Sequence, residues 1–337
     1  MRYKLLGRSG LRVSELCLGT MTFGEDWGWG ASREESHAIF EAFVEAGGNF
    51  IDTSNNYTNG TSERFVGELV ARERDRFVIA SKYTLSERMG DPNAAGNHRK
   101  NLRRTVEASL RRLDTDYLDL LYLHMWDGTT PVEEILCALD DLVHAGNVLH
   151  IGISDTPAWV VAKANAIADL RGWSRFVALQ LEYSLLSRSG ERDLLPMAAD
   201  AEMAVLTWGV LEGGELTGKY NRASSEPRRQ AEASARGRAL ADVLIAVAEE
   251  CGRTPAQVAI NWVRQQHPTI IPILGARSAA QLRDNLGCLQ FTLTPEQLDR
   301  LAAASPLDLG FPHAFLQSPH LQELIYSGLR SRLDLGR

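Results

Sequence analysis

Short, near-continuous apolar runs recur along the chain, separated by stretches whose apolar residues return every three or four positions. The runs fall at residues 15–18, 50–51, 77–81, 118–123, 148–153, 177–181, 205–207 and 270–274. Near-continuous apolar character, rather than alternation, is what a strand buried on both faces shows. The intervening stretches carry helix signals. Ile39, Phe40, Phe43 and Val44 share one face of the segment 33–48, with Ser32 placed to cap it and Gly47-Gly48 to stop it. Leu102, Val106, Ser109 and Leu113 form a stripe in 98–113, and Thr254-Pro255 opens another helix with a cap followed by proline in the first turn.

Eight strand–helix alternations predict a parallel sheet, and eight is the number that closes an α/β (β/α)8 TIM barrel. A doubly wound open sheet is the competing arrangement. It usually carries G-x-G-x-x-G after its first strand, which G-T-M-T-F-G-E-D-W-G-W-G does not match. K-L-L and R-V-S around G-R-S-G predict a small N-terminal hairpin plugging the lower end of the barrel. Two segments break the rhythm: a charged, Ser/Ala-rich loop at 222–237, and a proline-containing tail from Ser305 that ends in a short helix over the active-site rim. Loops of that length are commonly lids or binding loops. Residues 1–337 are expected to form one domain.

Composition narrows the functions. The net charge of −7 argues against nucleic acid or an anionic membrane as partner. No apolar run approaches the roughly 18 residues needed to cross a bilayer. The N-terminus lacks the features of a signal peptide. Cys17, Cys137, Cys251 and Cys288 are scattered, without metal-ligand spacing. A cytoplasmic protein with free thiols and no metal is expected.

In a barrel, chemistry gathers at the C-terminal ends of the strands. Those ends present Asp52, Lys82 and His124 on three successive strands, with Tyr57 in the loop after Asp52. Singly each has an ordinary explanation: a turn cap, a paired strand-end lysine, a core histidine, a loop tyrosine. Together, at one rim, they suggest a tuned proton donor. A phenol with a reference pKa of about 10 is brought nearer neutrality by an ammonium, and a carboxylate keeps that ammonium charged.

The chain resembles the aldo-keto reductases over nearly its whole length. The resemblance is carried by G-R-S-G-L-R-V-S-E-L-C-L-G-T-M-T-F-G, N-F-I-D-T-S-N-N-Y, T-S-E-R-F-V-G, I-A-S-K, D-Y-L-D-L-L-Y-L-H, I-G-I-S, A-L-Q-L-E-Y-S-L-L and G-A-R-S-A-A-Q-L-R-D-N-L. It implies that Asp52, Tyr57, Lys82 and His124 are the catalytic tetrad, with NADP(H) as cofactor and a small carbonyl compound or alcohol as substrate. Gly19, Thr20, Met21 and Asp52 would contact the cofactor, Ser154, Asp155 and Gln180 would hold its nicotinamide carboxamide, and Trp208 would stack on the nicotinamide ring. Gly209, Val210, Leu211, Leu216, Gly218 and Lys219 would cover the pyrophosphate. Gly275, Arg277, Gln281, Asp284 and Asn285 would hold the adenosine end, Arg277 suiting a 2′-phosphate. Trp27, Trp29, Tyr83, Met125, Trp126, Phe311 and His313 are expected to wall an apolar substrate pocket.

Two residues depart from the family pattern. Asp155 stands where relatives often have Asn, and Glu212 brings a carboxylate into the expected pyrophosphate loop. G-G-E-L-T-G-K-Y is close to a phosphate-binding loop, but Tyr220 replaces the magnesium-binding hydroxyl and the strand-to-helix context is missing. Two alternatives compete with carbonyl reduction: a Schiff-base aldolase acting through Lys82, and a nicotinamide-nucleotide-binding redox sensor or regulatory subunit with little turnover.

Overall fold

A computed structural model describes residues 1–221 and 232–334. A hairpin of β1 (Tyr3–Leu5) and β2 (Arg12–Ser14) precedes eight barrel strands: β3 (Cys17–Gly19), β4 (Phe50–Asp52), β5 (Val78–Tyr83), β6 (Leu118–Leu123), β7 (Val148–Ser154), β8 (Phe176–Glu182), β9 (Ala204–Trp208) and β10 (Ile270–Gly275). β3 to β10 are parallel neighbours in chain order, and β10 pairs back onto β3 to close the barrel. Each barrel strand is followed by helix on the outside: α1 (Arg33–Glu45), α2 (Thr61–Val70), α3 (Arg99–Leu113), α4 (Val132–His144), α5 (Ala158–Arg171) and α6 (Leu194–Asp200). α7 (Ala235–Cys251) and α8 (Pro255–Gln266) follow β9, and α9 (Ala279–Leu286), α10 (Pro295–Ala304), α11 (His313–Leu316) and α12 (Pro319–Ile325) follow β10. The (β/α)8 expectation holds.

The apolar strands bury two distinct layers. Cys17, Phe50, Val78, Ala80, Leu120, Tyr122, Ala178, Ala204, Leu206, Ile271 and Ile273 fill the barrel interior. Their chain neighbours Leu18, Ile51, Ile79, Leu121, Leu179, Val205 and Leu274 pack outward against the helices. Alternate Cβ atoms pointing to opposite faces make this parity obligatory. Leu6 and Val13 of the hairpin join the interior cluster and close its lower end. Gly7 makes that approach possible: its φ is +53°, and a Cβ there would lie 2.1 Å from the Val177 carbonyl oxygen.

Local signals explain the helix boundaries. Ser32 Oγ accepts from the Glu35 N–H at 3.2 Å, and Thr254 with Gln257 forms a reciprocal capping box behind Pro255. Two sequence readings need adjustment. The first barrel strand begins at Cys17, because Glu15 accepts from the Arg2 N–H and from Arg264 at 2.7 Å each, below the barrel. Most of the loop read at 222–237 lies outside the described residues, but its end is helical. Ser234 Oγ accepts from the Gly237 N–H at 2.9 Å and starts α7 at Ala235. The tail is anchored at the barrel's C-terminal rim. Arg188, in the loop after β8, donates to the Ser305 carbonyl at 2.6 Å, and Arg192 donates to that of Asp308.

Candidate active site

Strand parity carries the site directly out of the packed interior. Asp52 follows Phe50, Lys82 follows Ala80, His124 follows Tyr122, Gln180 follows Ala178 and Trp208 follows Leu206, each two residues further along the inward-facing row. Lys82 is fully buried. Its Nζ donates to Asp52 Oδ2 at 2.5 Å, to the Thr53 carbonyl at 2.8 Å and to Tyr57 Oη at 3.1 Å, which engages all three ammonium hydrogens. The second Asp52 oxygen accepts from Gln180 Nε2 at 2.8 Å.

Tyr57 is brought back over the mouth by a kinked turn, Tyr57–Gly60, in which Thr58 and Asn59 take φ values of 44° and 54°. Thr58 pins that turn: its Oγ1 donates to the Phe23 carbonyl at 2.6 Å and accepts from the Ser62 N–H at 3.1 Å. The Tyr57 and His124 rings meet edge to face, with centroids 6.2 Å apart. His124 Nδ1 lies 3.4 Å from Ser54 Oγ.

Burial dominates the electrostatics. It pushes the His124 value down to about 3, with the Lys82 charge adding to the effect, so the imidazole is neutral. Burial alone would also discharge Lys82, but the Asp52 carboxylate and the Tyr57 oxygen override it and hold the lysine above its ordinary range. For Tyr57 the outcome corrects the expectation of a lowered phenol. Burial raises its value, Lys82 pulls it back only in part, and the net direction is upward. The sequence reading counted the ammonium and not the loss of water. Tyr57 is thus neutral at physiological pH, and a Lys82 held protonated is a poor Schiff-base nucleophile, which disfavours the aldolase alternative.

Beside this cluster lies a second group of strand-end residues. Ser154 Oγ is buried and makes no hydrogen bond of ordinary geometry, while burial raises the neighbouring Asp155 carboxyl and Trp208 and Ser154 pull it back only in part. Trp208 is partly exposed at the mouth, and its Nε1 donates to Asp155 Oδ1 at 3.2 Å. Gly209 and Gly218 take left-handed φ values of 73° and 77° at either end of the next loop, with Val210 and Leu216 buried beneath it, Leu211 packed on the core and Lys219 beside Tyr220. Glu212 is turned onto the loop after β8, where Ser184 Oγ donates to it at 2.6 Å.

Gly275 ends β10, and the Arg277 N–H donates to Gln281 Oε1 at 3.0 Å ahead of α9. Asn285 is buried on α9. Asp284 ties α9 to α8, accepting from Thr254 Oγ1 at 3.0 Å and Gln257 Nε2 at 2.9 Å. Gly19 ends β3, Met21 follows half-buried, and Thr20 between them donates from Oγ1 to the Asp52 carbonyl at 2.9 Å.

Residues 15–306 match the Aldo/keto reductase family. The chain belongs to that family. It is 42% identical over 322 residues to norsolorinic acid reductase stcV of Emericella nidulans, covering 92% of this chain and 83% of that one. Over 334 residues it is 38% identical to aryl-alcohol dehydrogenase [NADP(+)] of Phanerodontia chrysosporium, covering 90% and 86%. It is also 36% identical over 338 residues to putative aryl-alcohol dehydrogenase AAD14 of Saccharomyces cerevisiae, covering 94% and 89%.

Around the mouth of this aldo/keto reductase the structure separates the expected pocket residues. Trp27 and Trp29 form a tilted pair with ring centroids 5.7 Å apart. Trp126 meets Trp159 edge to face at 5.6 Å, beside the exposed Met125. Phe311 is exposed and pairs with Phe315, while His313 Nε2 lies 3.0 Å from Asp193 Oδ1. Tyr83 is not a pocket residue. It has the opposite parity to Lys82, packs fully buried in the outer layer, and donates to the Asn97 carbonyl at 3.4 Å. Three contributors escaped the sequence reading. Thr53 acts through its backbone carbonyl, Ser54 was read as loop, and Trp159 stands four residues beyond Asp155 on α5. Among the described residues no helix is long and apolar enough to cross a membrane, and none of their His, Cys, Asp and Glu side chains group as metal ligands.

Proposed function

We propose that the protein reduces aromatic aldehydes and ketones to alcohols with NADPH, that Tyr57 donates the proton, and that the whole chain serves as one catalytic domain. The observation that carries this reading is the Asp52–Lys82–Tyr57 chain, buried at its ion pair and half-buried at its phenol, beside a neutral His124. When bound, the nicotinamide supplies the hydride that goes to the carbonyl carbon. Tyr57 Oη gives its proton to the carbonyl oxygen, and Lys82 at 3.1 Å stabilises the phenolate left behind. Asp52 keeps Lys82 charged and aimed. His124, neutral at working pH, orients the oxygen by hydrogen bonding rather than by supplying the proton.

The chain's own groups fit a nicotinamide nucleotide. Ser154 Oγ, buried without a hydrogen-bond partner, and the Gln180 amide would hold the carboxamide, and the part-exposed Trp208 would offer an aromatic face. Gly209 and Gly218 permit a close backbone approach to the pyrophosphate. The guanidinium of Arg277 would suit a 2′-phosphate, and the relative named for NADP(+) supports that choice. The aromatic pairs at the mouth, together with the names of the aryl-alcohol and norsolorinic acid relatives, support an aryl carbonyl substrate.

A panel of aryl and aliphatic aldehydes and ketones, with NADPH consumption followed by absorbance, tests this. Higher kcat/KM for the aryl members is expected. Tight retention of NADP with no turnover of any member would favour the sensor alternative instead.

A further inference from the structure

We propose that Asp155 is a positioning residue whose carboxylate grips the indole N–H of Trp208 and sets the plane of that ring as one wall of the nicotinamide site. The inference rests on the NADPH-dependent reading above. Asp155 immediately follows β7 and Trp208 ends β9, so their 3.2 Å hydrogen bond reaches across the intervening strand at the barrel mouth. The Asp155 end is fixed by the backbone: its N–H donates to the Gln180 carbonyl at 3.3 Å, and its φ of 40° is a left-handed conformation uncommon outside glycine. The Trp208 end is less constrained, because 36% of the residue is exposed and its ring faces the mouth with solvent on one side. Its backbone is already tied, the carbonyl accepting from the Tyr183 N–H at 3.2 Å, which leaves the side-chain torsions to the indole contact. A carboxylate accepting from an indole N–H is a charge-assisted bond, stronger than its neutral counterpart.

Asp155 and Trp208 thus form one device, and the carboxylate has a partner in the protein before any cofactor arrives. The alternative is that Asp155 acts directly on the bound carboxamide, and a double-mutant cycle separates the two. NADPH dissociation constants would be measured from the cofactor's own fluorescence for the wild-type protein, Asp155→Ala, Trp208→Phe and the double variant, with Asp155→Asn as the conservative control. Asp155→Ala should weaken NADPH about fivefold when Trp208 is present and by no more than about twofold when Phe replaces it. Asp155→Asn, which keeps an acceptor oxygen, should recover most of the loss and serves as the folded comparison. Equal losses in both backgrounds would overturn the proposal and assign Asp155 to the cofactor itself. No loss in Asp155→Ala would overturn it as well. A wild-type protein that fails to bind NADPH would instead remove the functional reading on which the inference stands.

Discussion

Replacing Lys82 with Met probes the centre of the site through both stability and rate. The ammonium is fully buried and makes three hydrogen bonds, one of them to a carboxylate that is itself only 2% exposed. Without it, Asp52 keeps Gln180 on one oxygen and has no partner on the other. Stranding one member of a buried ion pair typically costs about 3–5 kcal/mol. For 337 residues the unfolding entropy is about 0.7 kcal/mol per kelvin, so the expected fall in Tm is about 4–7 °C. Calorimetry would read that shift, and NADPH-linked turnover should fall by roughly a hundredfold or more, because the phenolate loses its counter-charge. The double variant Asp52→Leu/Lys82→Met removes both charges and should melt higher than Lys82→Met while remaining inactive. A single variant melting within about 1 °C of wild type, or a double variant melting no higher than the single, would refute the stranded-charge reasoning.

Three further outcomes follow from the same geometry. His124 is held far below the ordinary imidazole value of about 6.5, so its contribution to stability is fully present above that pH and is lost as pH falls towards about 3. At pH 5.5 the loss from His124 should be about 1.4 kcal/mol, and denaturant titrations should show His124→Asn losing that much less stability than wild type between pH 8 and 5.5, the part-buried His150 contributing equally to both. Because burial raises the Tyr57 value, the reduction rate should stay level through neutral pH and decline only above the ordinary phenol value of about 10. A decline beginning near neutrality in a pH–rate profile would contradict that direction. Tyr83→Phe should leave kcat/KM for aryl carbonyls unchanged and cost less than about 1 kcal/mol in stability, since the hydroxyl it removes makes only a 3.4 Å bond in the outer layer.

How far the molecule was legible in its sequence follows from what kind of information each feature needs. The barrel was legible because strand number and near-continuous apolar runs are linear properties. Asp52, Lys82 and His124 were legible because a strand's end marks the rim, and Tyr57 because the loop after Asp52 is too short to carry it elsewhere. Tyr83 was misplaced because adjacency in sequence to Lys82 means the opposite face of the strand. The direction of the Tyr57 shift was missed because charges can be counted along a chain and desolvation cannot. Ser54 and the Thr53 carbonyl were passed over for a similar reason: a small polar loop looks the same whether it faces solvent or a buried lysine. The Ser234 cap was hidden inside a charged, Ala-rich run whose composition resembles a loop.

The central claim is that Tyr57 is the proton donor and that binding and chemistry separate at its hydroxyl. Tyr57→Phe keeps the ring against His124 and removes only the oxygen 3.1 Å from Lys82 Nζ. Measured side by side, NADPH binding should be retained while turnover of the best aryl carbonyl is abolished. Undiminished turnover in Tyr57→Phe would contradict the mechanism outright.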